Sequence, residues 1–178
     1  MKKRHLFAAV AACALALIAW NYFGVHRPVS ERLAKDPRNE KVSLWAYHQY
    51  GVMPSVLVID LRKVDADAVT LDVMRALFQS AESQKSKRFE RVVLAYRGSP
   101  KFYLDGPFYE QLGKEFGEQN PVYTIRTFPQ NVWKLDGTAA YETWTGGMLG
   151  VLSKQMEDVN QFAKDWFIAD LATKTGDR

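Results

Sequence analysis

The pattern of apolar and polar positions is most uneven at the start of the chain. Lys2, Lys3 and Arg4 form a basic cluster, and residues 6–19 then run for fourteen positions without a charge, the layout of a secretory signal or signal-anchor. Trp20, Asn21, Tyr22 and Phe23 extend the uncharged run to eighteen residues, about 27 Å of helix at ~1.5 Å per residue. That length just meets a hydrocarbon core of ~30 Å. The small-x-small sites that a signal peptidase needs, Ala12-Cys13-Ala14 and Ala14-Leu15-Ala16, lie inside the apolar run. The aromatic residues beyond it resemble an interfacial belt. Residues 1–23 are therefore expected to stay attached as a transmembrane signal-anchor, with the amino terminus cytoplasmic.

The pattern then changes. Residues 24–41 are polar and carry Pro28 and Pro37, which predicts a tether, with a short helix over residues 30–35. A globular domain is expected over residues 42–172. Its first segment, KVSLWAYHQYG, suits a helix ending at Gly51. SVLVIDLRKV is a β-branched run bounded by Pro54 and the Asp65-Ala66-Asp67 cluster, and reads as a buried strand. Leu71, Met74, Leu77, Phe78 and Ala81 recur at three and four residues, so residues 67–84 predict an amphipathic helix against that strand. Residues 85–91 read as solvated connector.

ERVVLAYRG and KFYLDG flank Ser99-Pro100 and predict a hairpin, with Pro100 at the turn because it cannot donate to a ladder. Gly106-Pro107 opens a short helix, and NPVYTIRTFP predicts a further strand ended by Pro129. From Met148 onward, Leu149, Leu152, Met156, Val159, Ala163 and Trp166 form one stripe at helical spacing. Little more than two heptads are present, so packing across the sheet is expected rather than a coiled coil. Residues 173–178 should fray. The class that follows is α+β: an N-terminal transmembrane helix, then one domain with a mixed sheet packed against helices.

Charge alters this picture less than its total suggests. The chain has a formal net charge of +4, but three of its 24 basic residues sit in the leading cluster, leaving 21 against 20 acidic ones. The basicity belongs to the topology signal, and nucleic-acid binding loses its compositional support. Cys13 is the only cysteine, so the exported domain has neither an internal disulfide nor thiolate chemistry and must hold together by packing. Val10-Ala11-Ala12-Cys13 resembles a bacterial lipoprotein box, yet apolar sequence follows Cys13 where a polar tether belongs. A small apolar helix residue is the better account.

Candidate chemistry is sparse. Asp65-Ala66-Asp67-Ala68-Val69 matches the core of the haloacid dehalogenase phosphatase signature, in which the first Asp is the nucleophile. That nucleophile directly follows a buried strand, whereas Leu61, Arg62, Lys63 and Val64 intervene here and no paired acidic motif follows. Carboxylates favoured at a helix N-terminus explain the same residues. Gly146-Gly147 lacks the lysine of a phosphate-binding loop and reads as a turn, with Thr145 as cap. His48 has no second histidine in the domain, so no metal site is expected, and no cofactor. Asp60, Arg97 and Arg126 stand within or at the ends of apolar strands, where an unpaired charge is costly. With Asp105 they form the candidate set for a polar, anion-binding pocket, the rival reading being internal ion pairs or edge exposure. No catalytic residue is assigned.

These readings lead to an expected role. A single-pass anchor in a bacterial inner membrane, made by residues 6–23, would carry a non-catalytic domain on the periplasmic side for interaction with a protein partner or envelope assembly. A carboxylate-dependent envelope hydrolase using Asp60 or Asp65, and a small anionic-ligand binder using Arg97 or Arg126, are the alternatives.

Overall fold

The structure, a computed structural model, describes residues 2–175. The apolar leader does not end in a joint. Helix α1 (Lys2–Asn21) continues through a π-helical stretch (Tyr22–His26) into α2 (Arg27–Ala34), and it is long and apolar enough to cross a membrane. Pro28 lies inside this continuous helix. It has no N–H to give, so the carbonyl four residues back loses its partner. That carbonyl, Gly24 O, accepts instead from Lys87 Nζ, and Gln84 Nε2 donates to the neighbouring Val25 O at 3.1 Å. The wider π-helical turn, closed by Arg27 N–H to Tyr22 O, absorbs the remaining misfit.

The tether expected over residues 24–41 is therefore replaced by helix as far as Ala34 and a 3-10 turn at Pro37–Asn39. The physical reason is a stripe hidden among polar residues: Val25, Val29 and Leu33 lie one turn apart and all are buried in the main core. Apolar residues at that spacing share a helix face.

The sheet has five strands in the order β1 (Val42–Gln49), β2 (Met53–Val64), β3 (Arg91–Tyr96), β4 (Ser99–Asp105) and β5 (Val132–Lys134). Among the described residues only β2 and β3 pair in parallel, and α3 (Thr70–Gln84) forms the crossover between them. The helices α4 (Gly106–Glu115), α5 (Pro121–Thr127), α6 (Met148–Ala163) and α7 (Ala169–Thr175) complete the domain, with a π-helical stretch (Lys164–Ile168) joining the last two. The α+β class with a mixed sheet against helices is thus what the chain adopts.

Several elements differ from expectation. KVSLWAYHQYG forms β1, not a helix, because Val42, Leu44, Ala46 and His48 alternate inward with Ser43, Trp45, Tyr47 and Gln49 outward. The β3–β4 turn is Arg97-Gly98, both with positive φ, the backbone a two-residue hairpin loop favours. Pro100 lies within β4 opposite Ala95, beside a register shift. NPVYTIRTFP forms α5, with the Asn120 side chain accepting from Val122 N at 3.0 Å and Pro121 in the first turn. Thr173 and Thr175, placed in the fraying tail, belong to α7; residues 176–178 of that tail lie outside the described residues.

The main core fills the side of the sheet that faces the helices. Leu57, Ile59 and Leu61 of β2 alternate into this core, which also takes Met74, Leu77 and Ala81 of α3. Trp166 closes this core, its Nε1 donating to Ala95 O at 3.1 Å. Gly113 lets α4 reach α3, since a Cβ there would lie 2.4 Å from Ala81 O. The opposite side of the sheet holds a smaller cluster, Val56, Val58, Val93, Ala95 and Tyr103, flanked by Tyr47 and Trp133.

Candidate functional site

The four charged residues singled out from the sequence do not share a pocket. Asp60 projects from the centre of β2 into the smaller cluster and is fully buried. Its oxygens are occupied: Arg62 lies at 2.8 Å, Tyr47 OH donates at 3.2 Å and Gly98 N donates at 3.0 Å. Burial and the Asp60 charge push the Tyr47 hydroxyl up to about 12. Arg97 is exposed at the turn, its guanidinium 5.1 Å from the Tyr96 ring centroid. Asp60 thus meets this turn through the Gly98 backbone.

Asp105 is exposed at the other end of the same hairpin, opposite Arg91 in register, and precedes α4 without a side-chain capping bond. Arg126 belongs to α5, where it donates to Gln155 Oε1 at 3.0 Å and lies over Tyr123. The set resolves into one internal ion pair and three separate surface positions.

The acidic cluster before α3 is dispersed as well. Asp65 pairs with Lys63 and Asp67 with Lys41 at the surface, so neither converges on Asp60. Asp72 takes the helix-start role, accepting from Val69 N at 3.0 Å. At α6 the N-cap is Gly147 rather than Thr145. Among the described residues, no three His, Cys, Asp or Glu side chains gather as a metal site would.

Two surfaces outside this charged set carry more. One is where the leader meets the sheet. β1 is an edge strand, and its backbone is partnered by the helix: His48 N donates to Asn21 Oδ1 at 2.8 Å and Ala46 N to His26 Nδ1 at 3.4 Å. Asn21 Nδ2 in turn donates to Gly51 O at 2.8 Å and to Leu17 O at 2.9 Å. Trp20 stacks on His48 with ring centroids 4.3 Å apart. Burial holds His48 below its ordinary value of 6.5, with the Lys87 charge adding to the effect; its Nδ1 has no hydrogen-bond partner among the described residues. An apolar groove of about 650 Å³ opens between α1 and the β1–β2 hairpin, from Ala14 and Ile18 to Tyr50 and Val52.

The other surface is the start of α6. The stripe expected to pack across the sheet splits: Val159, Ala163 and Trp166 are buried, while Leu149, Leu152 and Met156 are exposed, Leu149 by 80 %. Helix α5 lies against α6 and exposes Val122 and Tyr123. The period-3.6 pattern announced the apolar face but not where its cover would end.

Comparison of the chain with family models, curated proteins and solved structures finds no match.

Proposed function

We propose that the chain is a single-pass anchored interaction domain, held in a bacterial inner membrane by α1, with its amino terminus cytoplasmic and its globular part on the periplasmic side, where it docks a protein partner of the envelope. The observation that carries this reading is the exposed apolar face of α5 and α6. Soluble surfaces scatter single apolar side chains, whereas a grouped set on contacting helices marks an interaction site. The stripe of Leu149, Leu152 and Met156 has the spacing by which one helix seats against another. The occupant proposed is an apolar helix face of another envelope protein. Asp60 and the arginines support catalysis or anion binding less well, because their charges are engaged internally or stand apart.

A photoreactive residue at Leu149, in the full chain in its own membranes, tests this. A discrete protein adduct is expected, lost when Leu152→Asp and Met156→Asp are added and absent when the photoreactive residue stands at Glu157. Adduct formation indifferent to those two substitutions would refute the reading.

A further inference from the structure

We infer that the tip of the β1–β2 hairpin is a second membrane contact: it lies in the bilayer beside α1, and a phospholipid acyl chain fills the groove between them. This rests on the anchored reading of α1 and adds to it.

Geometry supplies the first reason. Asn21 pins Gly51 to the helix, and the groove continues from there down to Ala14, seven residues or about 10 Å nearer the amino terminus. If the bilayer ended below the groove, only residues 6–13 would remain to cross it, about 12 Å of helix against a ~30 Å core. A helix that spans therefore takes the hairpin tip in with it. The tip also projects past its neighbours, since pairing of β2 with β3 begins only at Val56.

Chemistry agrees with that depth. From Val42 to Ile59 the hairpin has no charged residue, and Tyr50, Val52 and Met53 are exposed, Tyr50 by 81 %. A polar loop immersed in lipid fails on its unpaired backbone groups, yet here the groups nearest the tip are partnered. His48 N and Gly51 O bond to Asn21, Gly51 N donates to His48 O at 2.7 Å and Val52 N to Gln49 O at 3.3 Å. Charge returns at Lys87, bonded to Gly24 O, at Arg27 over the Phe23 ring, and at Glu90 and Arg91, which pair with Ser55 and Val56 just above the tip, so only the turn around Tyr50 to Met53 is immersed and the headgroup level begins there. The groove's about 650 Å³ falls within the ~300–1,000 Å³ of sites that take small molecules. One wall is the spanning helix itself, so the surrounding molecules are lipids.

The test places single cysteines at Leu15, Val52 and Ser99 in the full-length Cys13→Ser chain. Each is labelled with a nitrobenzoxadiazole dye in vesicles of phosphatidylethanolamine and phosphatidylglycerol, with or without phosphatidylcholine carrying a nitroxide on its acyl chain. The nitroxide is expected to quench the Val52→Cys label as strongly as the Leu15→Cys label, and to spare Ser99→Cys at the far end of the sheet. Quenching at Leu15→Cys with none at Val52→Cys overturns the hairpin contact and leaves the anchor standing. No quenching at Leu15→Cys overturns both. Tyr50→Cys repeats the measurement on the same tip if Val52→Cys does not fold.

Discussion

Asn21→Leu separates the strength of the anchor from the strength of its attachment. The amide makes two bonds that join the helix to the hairpin, Oδ1 from His48 N and Nδ2 to Gly51 O, both at 2.8 Å. Leucine is close in size and makes neither. Each lost bond is worth ~1 kcal/mol net, and a donor left unpaired adds a desolvation cost of ~1–3 kcal/mol when buried. These bonds are half-buried, so the lower part of that range applies and the expected loss is about 2–4 kcal/mol. For a chain of this size each kcal/mol moves the melting temperature by ~2–4 °C, giving a fall of about 4–16 °C. The assay is thermal unfolding of the detergent-solubilised full chain, followed by tryptophan emission. Leucine also makes the leader more apolar, so retention in carbonate-washed membranes should hold or improve while the domain weakens. A melting temperature within about 1 °C of the parent would refute the idea that Asn21 clamps the edge strand.

Other substitutions probe the remaining contacts. Gly113→Ala should gain up to ~1 kcal/mol of helix propensity but lose more by overpacking, ~1–3 kcal/mol, because its Cβ would meet Ala81 backbone at 2.4 Å; a lowered urea midpoint checks the sign. Asp60→Ala leaves Arg62 and Gly98 N without their acceptor and should cost about 2–4 kcal/mol, somewhat below a fully buried pair because Arg62 is partly exposed. Asp60→Asn should cost less, and equal stability of Asp60→Ala and the parent in urea would return this residue to the candidate binding set. His48 is held below 6.5 when folded, so the unfolded chain binds its proton first as pH falls. Stability is full above about 6.5 and declines as pH drops through the lowered native value. His48→Phe should therefore reduce the slope of melting temperature as pH falls below about 6.5; an unchanged slope would contradict the assignment.

How far the sequence could be read depended on which interaction decided each element. α3 follows directly from apolar spacing because it packs one face, β2 from a continuous β-branched run buried on both faces, and α4 from its Gly106-Pro107 start. β1 was ambiguous by length, although its inward Val42, Leu44 and Ala46 keep strict alternation; the aromatic residues interleaved on the other side blurred it. α5 carries β-branched and aromatic residues that favour strands, and the Asn120-Pro121 start was the local signal that opposed them. The helical continuation through Pro28 was legible only in part, as the expected short helix over residues 30–35 and the spacing of Val25, Val29 and Leu33. Its carbonyl partners, Gln84 and Lys87, are some sixty residues away in sequence, and only tertiary structure brings them there. The candidate site failed for the same reason. Apolar flanks marked Asp60, Arg97 and Arg126 as unusual; Arg62, two residues along the same strand face, could be read from the period of two, but Tyr47 and Gly98 reach Asp60 only through strand register and the β3–β4 turn.

The unbroken run from α1 into the core has a mechanical corollary. With Val25, Val29 and Leu33 locked under the domain, no swivel separates the leader from the body, so the two turn and lean as one lever. Rolling α1 about its own axis would sweep the α5 and α6 face around the same axis. Under the proposed anchoring, thinning of the lipid, which alters the tilt of a spanning helix, would reach a partner on that face as a change of direction.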